Sequence, residues 1–225
     1  IASVLSEAGI NLNFAPVVDL AIQPKSPIIA GRERSFGRSA AKVTQHAKAY
    51  VEGHRLHQIL TCCKHFPGHG SALGDTHAGF TDVSETWMEE ELEPYRALID
   101  AEKCPMIMTA HIFNSKWDAA NPSTLSKYVL TDLLREKLGF TGVVISDDMQ
   151  MRAISDHFSL KESLRLGLNA GLDMFCFGNN LLPEPVKLSD TIDAVEELLN
   201  DGELSVSRIE ASAARILALK DTLNA

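Results

Sequence analysis

Residues 59–80 read ILTCCKHFPGHGSALGDTHAGF. The apolar start, ILTCC, ends in Lys64 and His65 and then breaks into a loop with Gly68, Gly70, Gly74 and Gly79. An apolar run without alternation reads as a strand buried on both faces, the habit of parallel sheets. Four other segments have the same form: INLNFAPVVD at 10–19, CPMIMTAHI at 104–112, TGVVISDD at 141–148 and LDMFCFGN at 172–179. Each carries polar residues at its C-terminal end: Asp19, then Lys64 and His65, then His111, then Asp147 and Asp148, then Asn179.

Helical signals lie between these strands. Thr86 to Glu89 has the form of a capping box leading into WMEEELEPYRALIDAEK, Gly139 closes SKYVLTDLLREKLG, and Ser207 to Glu210 opens RIEASAARILALK. Alternation of strand and helix predicts an α/β protein, either a closed barrel or a doubly wound sheet. Polar residues converging from several strand ends favour the (β/α)8 barrel of TIM type, since a doubly wound sheet gathers its ligand contacts at one switch point and no glycine-rich dinucleotide fingerprint is present. Five strands are visible where eight are expected. The opening IASVLSEAG reads as the end of a helix stopped by Gly9, so the barrel is expected to be incomplete here, its N-terminal strands preceding residue 1. Residues 1–225 are read as one domain, with the proline cluster LLPEPVKL at 181–188 as an ordinary loop.

Composition excludes several classes. Of 225 residues, 45% are hydrophobic and 23% charged, so a core can form. With 21 Lys+Arg against 30 Asp+Glu, a net charge of −9 argues against a nucleic-acid partner. No apolar run has the length to span a bilayer, and no membrane partner is expected. Cys62, Cys63, Cys104 and Cys176 lack the spacing of a disulfide framework or a zinc site and read as buried thiols. A soluble protein of a reducing compartment, the cytoplasm, is expected.

Three constellations could carry chemistry. In the glycine-laden loop, Asp75 and His77 stand two residues apart. A carboxylate beside an imidazole orients it and favours its protonated form, making a donor that can take the proton back. A mobile loop suits a group that must be brought onto a bound substrate. Lys64 and His65, at a strand end inside the mouth, need polar partners, and sugar hydroxyls would serve. In ISDD, neighbours on a strand point to opposite sides, so one of Asp147 and Asp148 faces the mouth and the other is structural or a cap. A carboxylate there can act as nucleophile, electrostatic stabiliser or metal ligand. Arg34, in GRERSFG at 31–37, offers a planar fork for hydroxyls or a carboxylate, and is equally compatible with a solvated surface arginine.

KHFPGHG, four residues, then DTH, with ISDDMQM downstream, resembles the bacterial β-N-acetylglucosaminidases of glycoside hydrolase family 3. NFAPVVDL, RSFG, MTAHI and RIEASAARILALK extend the resemblance over nearly the whole chain. It implies a (β/α)8-type barrel and retaining hydrolysis of terminal β-linked N-acetylglucosamine, with Asp147 as nucleophile, His77 as general acid/base, Asp75 as its partner, and Arg34, Lys64 and His65 holding the sugar. No cofactor or metal is implied. The substrate it implies is a small carbohydrate, a muropeptide fragment from peptidoglycan recycling. Three alternatives remain: a metal-dependent hydrolase using His65, His69, His77, His111 and Asp147; a phosphorylase of the same family; and a non-catalytic carbohydrate-binding remnant. Oligomeric state is not legible.

Overall fold

The computed structural model describes residues 1–181 and 184–223; residues 182 and 183, within the expected proline loop, and 224 and 225 lie outside the described residues. Strands β1 (Leu12–Asn13), β2 (Leu60–Phe66), β3 (Met106–Thr109), β4 (Val143–Asp148) and β5 (Met174–Cys176) form one parallel sheet in the order β1-β2-β3-β4-β5. Each strand falls inside one of the five apolar segments. β1 is the shortest because Pro16 has no N–H to add to the ladder; the chain rejoins β2 at Val17, opposite Lys64.

Helices connect the strands: α1 (Ala2–Glu7) precedes β1, α2 (Ala40–Arg55) leads into β2, and α3 (Glu93–Ile99), extended backwards by a 3-10 turn over Glu89–Leu92, leads into β3. A π-helical segment, Tyr128–Lys137, precedes β4. Then come α4 (Arg152–Ser155), α5 (Leu160–Ala170), and, after β5, α6 (Leu188–Asn200) and α7 (Val206–Asp221). The sheet curls into a half barrel with α2, α3 and the π-helical segment on its outer face and the end of α7 reaching its inner face, an incomplete (β/α)8 barrel, as the strand and helix pattern predicted.

Both faces of the sheet are covered, which is why its strands lack alternation. Cys63, Ile107 and Val144 face outward into the main core with Val43, Ala47, Tyr95, Leu98, Leu130 and Leu134 of the helices. Cys62, Met106, Met108, Val143 and Ile145 face inward and meet Ile216 and Leu219 of α7. Burying a side chain of this size contributes about 1.5–3 kcal/mol. All four cysteines are free, and Cys62, Cys63 and Cys104 are buried. Among the described residues no helix is long and apolar enough to cross a membrane.

Two helix starts differ from expectation. The reciprocal box is built on Glu91, whose carboxylate accepts from Met88 N–H at 3.5 Å; the Thr86 hydroxyl finds no partner. The reason is tertiary, because Glu91 is drawn inward by two amides of the loop after β2. The last helix is capped by Ser205, which accepts from Arg208 N–H at 3.2 Å, and Ser207 lies inside the first turn. Gly9 and Gly139 adopt φ of 75° and 70°, as expected of residues that stop helices.

α7 is latched to the barrel by a buried carboxylate. Asp173 accepts from Arg135 at 2.7 Å, Arg215 at 3.0 Å, the Ser212 hydroxyl at 2.7 Å and Val144 N–H at 3.0 Å. The charge is matched and its lone pairs are filled, so the latch tolerates burial.

Candidate active site

The C-terminal ends of β1, β2 and β4 bring charged groups to one rim. Asp19, just beyond β1, is fully buried and accepts from His65 N–H at 3.2 Å, from His65 Nδ1 at 2.6 Å and from His69 N–H at 2.7 Å. Burial works against its charge, but the imidazoles of His65 and His69 and their bonds outweigh that and hold its carboxyl below the ordinary value. Because Nδ1 of His65 gives its proton to Asp19, Nε2 presents a lone pair, and a guanidinium nitrogen of Arg34 donates to it at 3.1 Å. Arg34 is oriented further by the carbonyl of Ile28 at 3.2 Å. The GRERSFG loop folds over the end of β1, where the Ser35 hydroxyl donates to the Asp19 carbonyl at 2.6 Å.

Oδ2 of Asp147 lies 3.9 Å from Nε2 of His65, and its Oδ1 accepts from Asp148 N–H at 2.8 Å. Burial pushes the Asp147 carboxyl up, but His65, His111, the Asp148 amide and Lys64 more than offset this and leave it below the ordinary value. It is held as an anion in a mostly desolvated place, which suits a nucleophile. Lys64 is half-buried; burial lowers the pKa of its amine, against the pull of Asp147 and with the push of Arg34. The Lys64–His65 peptide is cis. Asp148 turns away, its carboxylate accepting from Gln150 N–H at 3.0 Å, so the two aspartates divide the work as strand geometry requires.

Asp75 and His77 meet in the loop after β2. Oδ1 of Asp75 accepts from His77 N–H at 2.8 Å and from its Nδ1 at 2.9 Å, with Nε2 left free to face solvent or substrate. The pair is substantially exposed, unlike the Asp19–His65 pair. Between them Thr76 is buried: its carbonyl accepts from Ala153 N–H at 3.2 Å, in the segment leaving β4, and its hydroxyl lies 3.4 Å from Nε2 of His69. The loop is therefore fastened to the side of the rim that carries Asp147. Burial lowers the His69 pKa to about 4, helped by His65, so this ring is neutral.

Two further strand-end residues do other work. His111 is buried, with Nε2 3.0 Å from the Asp148 carbonyl and Nδ1 2.8 Å from the Thr124 hydroxyl, itself 2.7 Å from the Thr109 hydroxyl. This relay holds the Asp148–Met149 peptide, one residue beyond Asp147. Asn179 exchanges hydrogen bonds with the backbone of Val186 and braces a loop. The five residues weighed as metal ligands do not converge: His65 is committed to Asp19, His111 to Thr124 and Asp148, His77 to Asp75. Among the described residues no group of three or more His, Cys, Asp or Glu is placed to hold a metal ion.

The sequence pointed to Asp147, His77, Asp75, Arg34, Lys64 and His65, and the structure brings Arg34, Lys64, His65 and Asp147 together and pairs Asp75 with His77. Asp19 and His111 were visible only as strand ends, their partners unknown. Glu91 had no signal of its own, since EEEL at 89–92 reads only as the start of the helix that the Thr86 to Glu89 box opens.

Residues 1–219 match the sequence profile of the Glycosyl hydrolase family 3 N terminal domain. The chain is similar to Beta-hexosaminidase A of Pseudoalteromonas piscicida, 33% identical over 97% of this chain and 39% of that protein. It is likewise similar to Beta-hexosaminidase LpqI of Mycobacterium tuberculosis, 35% identical over 96% of this chain and 55% of that protein. Among solved structures it resembles a glycoside hydrolase family 3 β-N-acetylglucosaminidase from Paenibacillus sp. str. FPU-7, with a TM-score of 0.91 and 32% identity over 99% of this chain and 42% of that one. The chain thus spans roughly half the length, or less, of these relatives.

Proposed function

Because the chain belongs to glycosyl hydrolase family 3, we propose that its residues 1–225 act as one catalytic domain that hydrolyses terminal β-linked N-acetylglucosamine with retention of configuration. The observation that carries this reading is the bond from Ala153 N–H to the Thr76 carbonyl, which ties the Asp75–His77 loop to the segment leaving the strand that carries Asp147. In this reading a proton donor and an anionic carboxylate serve one pocket.

The chemistry follows in two steps. The Asp147 carboxylate attacks the anomeric carbon while His77 gives the proton on Nε2 to the departing oxygen; the C–O bond breaks and an ester to Asp147 forms. Water then enters, His77 takes one of its protons, and the hydroxide portion displaces Asp147 from the same carbon. Asp75 holds the ring by Nδ1 and so leaves Nε2 for the substrate. Arg34, Lys64 and His65 hold sugar hydroxyls, and Asp19 fixes the tautomer in which His65 Nε2 is an acceptor. The histidine replaces the second carboxylic acid of the common two-carboxylate scheme. The natural substrate in this reading is a muropeptide fragment, met in the cytoplasm; the four free thiols support a reducing compartment.

The test is turnover of a chromogenic β-N-acetylglucosaminide and of an unactivated disaccharide, beside Asp147→Ala and His77→Ala. Asp147→Ala should lose about 10⁴-fold or more in kcat. His77→Ala should harm the unactivated substrate far more than the activated one. Equal losses on both would remove His77 as proton donor, and an active Asp147 variant would remove the nucleophile. A sugar 1-phosphate formed only with added phosphate would instead identify a phosphorylase.

A further inference from the structure

Glu91 is the most unexpectedly placed charge in the molecule. It sits in a run of three glutamates whose first, Glu89, is exposed, yet it is only 1% exposed itself. Its Oε2 accepts from Gly70 N–H at 2.8 Å and Ser71 N–H at 3.3 Å, and its Oε1 from Met88 N–H at 3.5 Å. Among the described residues no cation forms an ion pair with it. A capping glutamate needs none of this burial, and desolvating a carboxylate is costly. The backbone is shaped around it: a Cβ at Gly68, where φ is 116°, would stand 2.5 Å from the Glu91 Cβ.

On the other side of the same segment stands Asp19. The two buried carboxylates share the amides of His65, His69, Gly70 and Ser71, the stretch where the sugar-holding strand end becomes the loop of Asp75 and His77. From there the contact continues: His69 Nε2 lies 3.4 Å from the hydroxyl of Thr76, between Asp75 and His77.

We propose that Glu91 is a positioning residue for the Asp75–His77 loop, gripping the loop's root through Gly70 and Ser71 with a strength that depends on whether its carboxyl is ionised. This rests on the reading of Asp75 and His77 as the proton shuttle. Ionised, both oxygens accept from the amides that surround them. Protonated, the group sheds the cost of burying a charge, which outweighs the stronger bonds the anion accepts, so the closed root is the more stable with the proton on. The titratable groups acting with Glu91 are Asp19, beyond β1, and Tyr95, in α3; Asp19 in turn faces His65 and His69. Asp19 is held as an anion by the bonds it accepts from His65 and from His69 N–H. Glu91 is the member that yields: burial pushes its carboxyl up to about 7, with the charge of Asp19 adding to the push and the bonds from Ser71, Gly70 and Met88 opposing it.

Amide exchange tests the grip directly, without reference to turnover. In the unaltered chain, the protection factors of Gly70 and Ser71 should fall about tenfold or more as pH rises from about 4.5 to about 7, because opening the root returns the Glu91 carboxyl to water and to its ordinary value. Glu91→Gln, which keeps shape but cannot titrate, should show no such step. On an unactivated β-N-acetylglucosaminide, the ratio of kcat of the unaltered enzyme to that of Glu91→Gln should fall over the same range, any pH dependence the two share cancelling, with KM within about twofold. Constant or rising protection across that range in the unaltered chain, or a step that persists in Glu91→Gln, overturns the proposal; the first needs no variant to fold. A protection step in a chain that cleaves nothing supports the anchor and fails the reading of the reaction, so the two are told apart.

Discussion

Nδ1 of His65 lies 2.6 Å from Oδ2 of Asp19, with both side chains buried, and the opposite nitrogen of the same ring faces Arg34 at 3.1 Å and Asp147 at 3.9 Å. One imidazole thus transmits the state of a carboxylate that no substrate reaches to the groups that line the rim. Asp19→Asn puts an amide N–H₂ where Nδ1–H or His69 N–H now donates. The ring is then driven to the other tautomer, and its Nε2–H points at an arginine donor. Leaving such buried donors unmatched costs about 1–3 kcal/mol, so affinity for N-acetylglucosamine should fall about 10- to 100-fold. Calorimetric binding checks this, and unchanged affinity would sink the role given to Asp19.

Acid stability should reflect two groups of opposite sign. His69 is depressed to about 4 in the fold, so as pH falls from about 6.5 towards 4 the unfolded chain takes up its proton first and stability is lost, by up to about 3 kcal/mol. Glu91 is raised to about 7, so over the window from about 7 down to 4.5 the folded chain holds the extra proton and stability is gained. The two offset each other across their shared range. Glu91→Gln should expose the His69 limb, with denaturation midpoints that drop steadily below pH 6.5; His69→Gln should do the reverse. Parallel profiles for the unaltered chain and both variants would contradict the assignment.

Glycines divide by what stands next to them. A Cβ on Gly70 would lie 1.7 Å from the Leu20 carbonyl oxygen, a backbone atom that cannot swing aside. Gly70→Ala should destabilise by about 3 kcal/mol or more. Gly53, inside α2, has nothing within 4 Å of its Cβ position and no positive φ. Gly53→Ala should instead stabilise by about 0.5–1 kcal/mol through helix propensity. Thermal melts of the pair should move in opposite directions.

His111→Phe keeps the ring's bulk but removes the bond to the Asp148 carbonyl, and it leaves the Thr124 hydroxyl without its imidazole. The peptide after Asp148, next to the Asp147 backbone, then loses its brace. We expect kcat to fall about tenfold with KM little changed, since a 1 Å misplacement of a reacting group is enough for that. A KM effect alone would mean that His111 acts on the sugar and not on the Asp147 backbone.

The strands, their order of polarity and the half-barrel architecture were determined by sequence alone, because burial on both sheet faces erases alternation in ILTCC and VVIS and leaves polar residues only where strands end. The Asp75–His77 pair was equally local, since two residues in one turn can meet without help from the rest of the fold. Tertiary structure decided what neighbours a strand end receives. That Asp19 orients His65, that His111 braces Asp148, and that one glutamate of EEEL turns inward to hold Gly70 and Ser71 all join residues 20 to 46 positions apart. Such pairings depend on sheet order and loop path, and a desolvated carboxylate looks the same in sequence as a solvated one until the amides that satisfy it are folded around it.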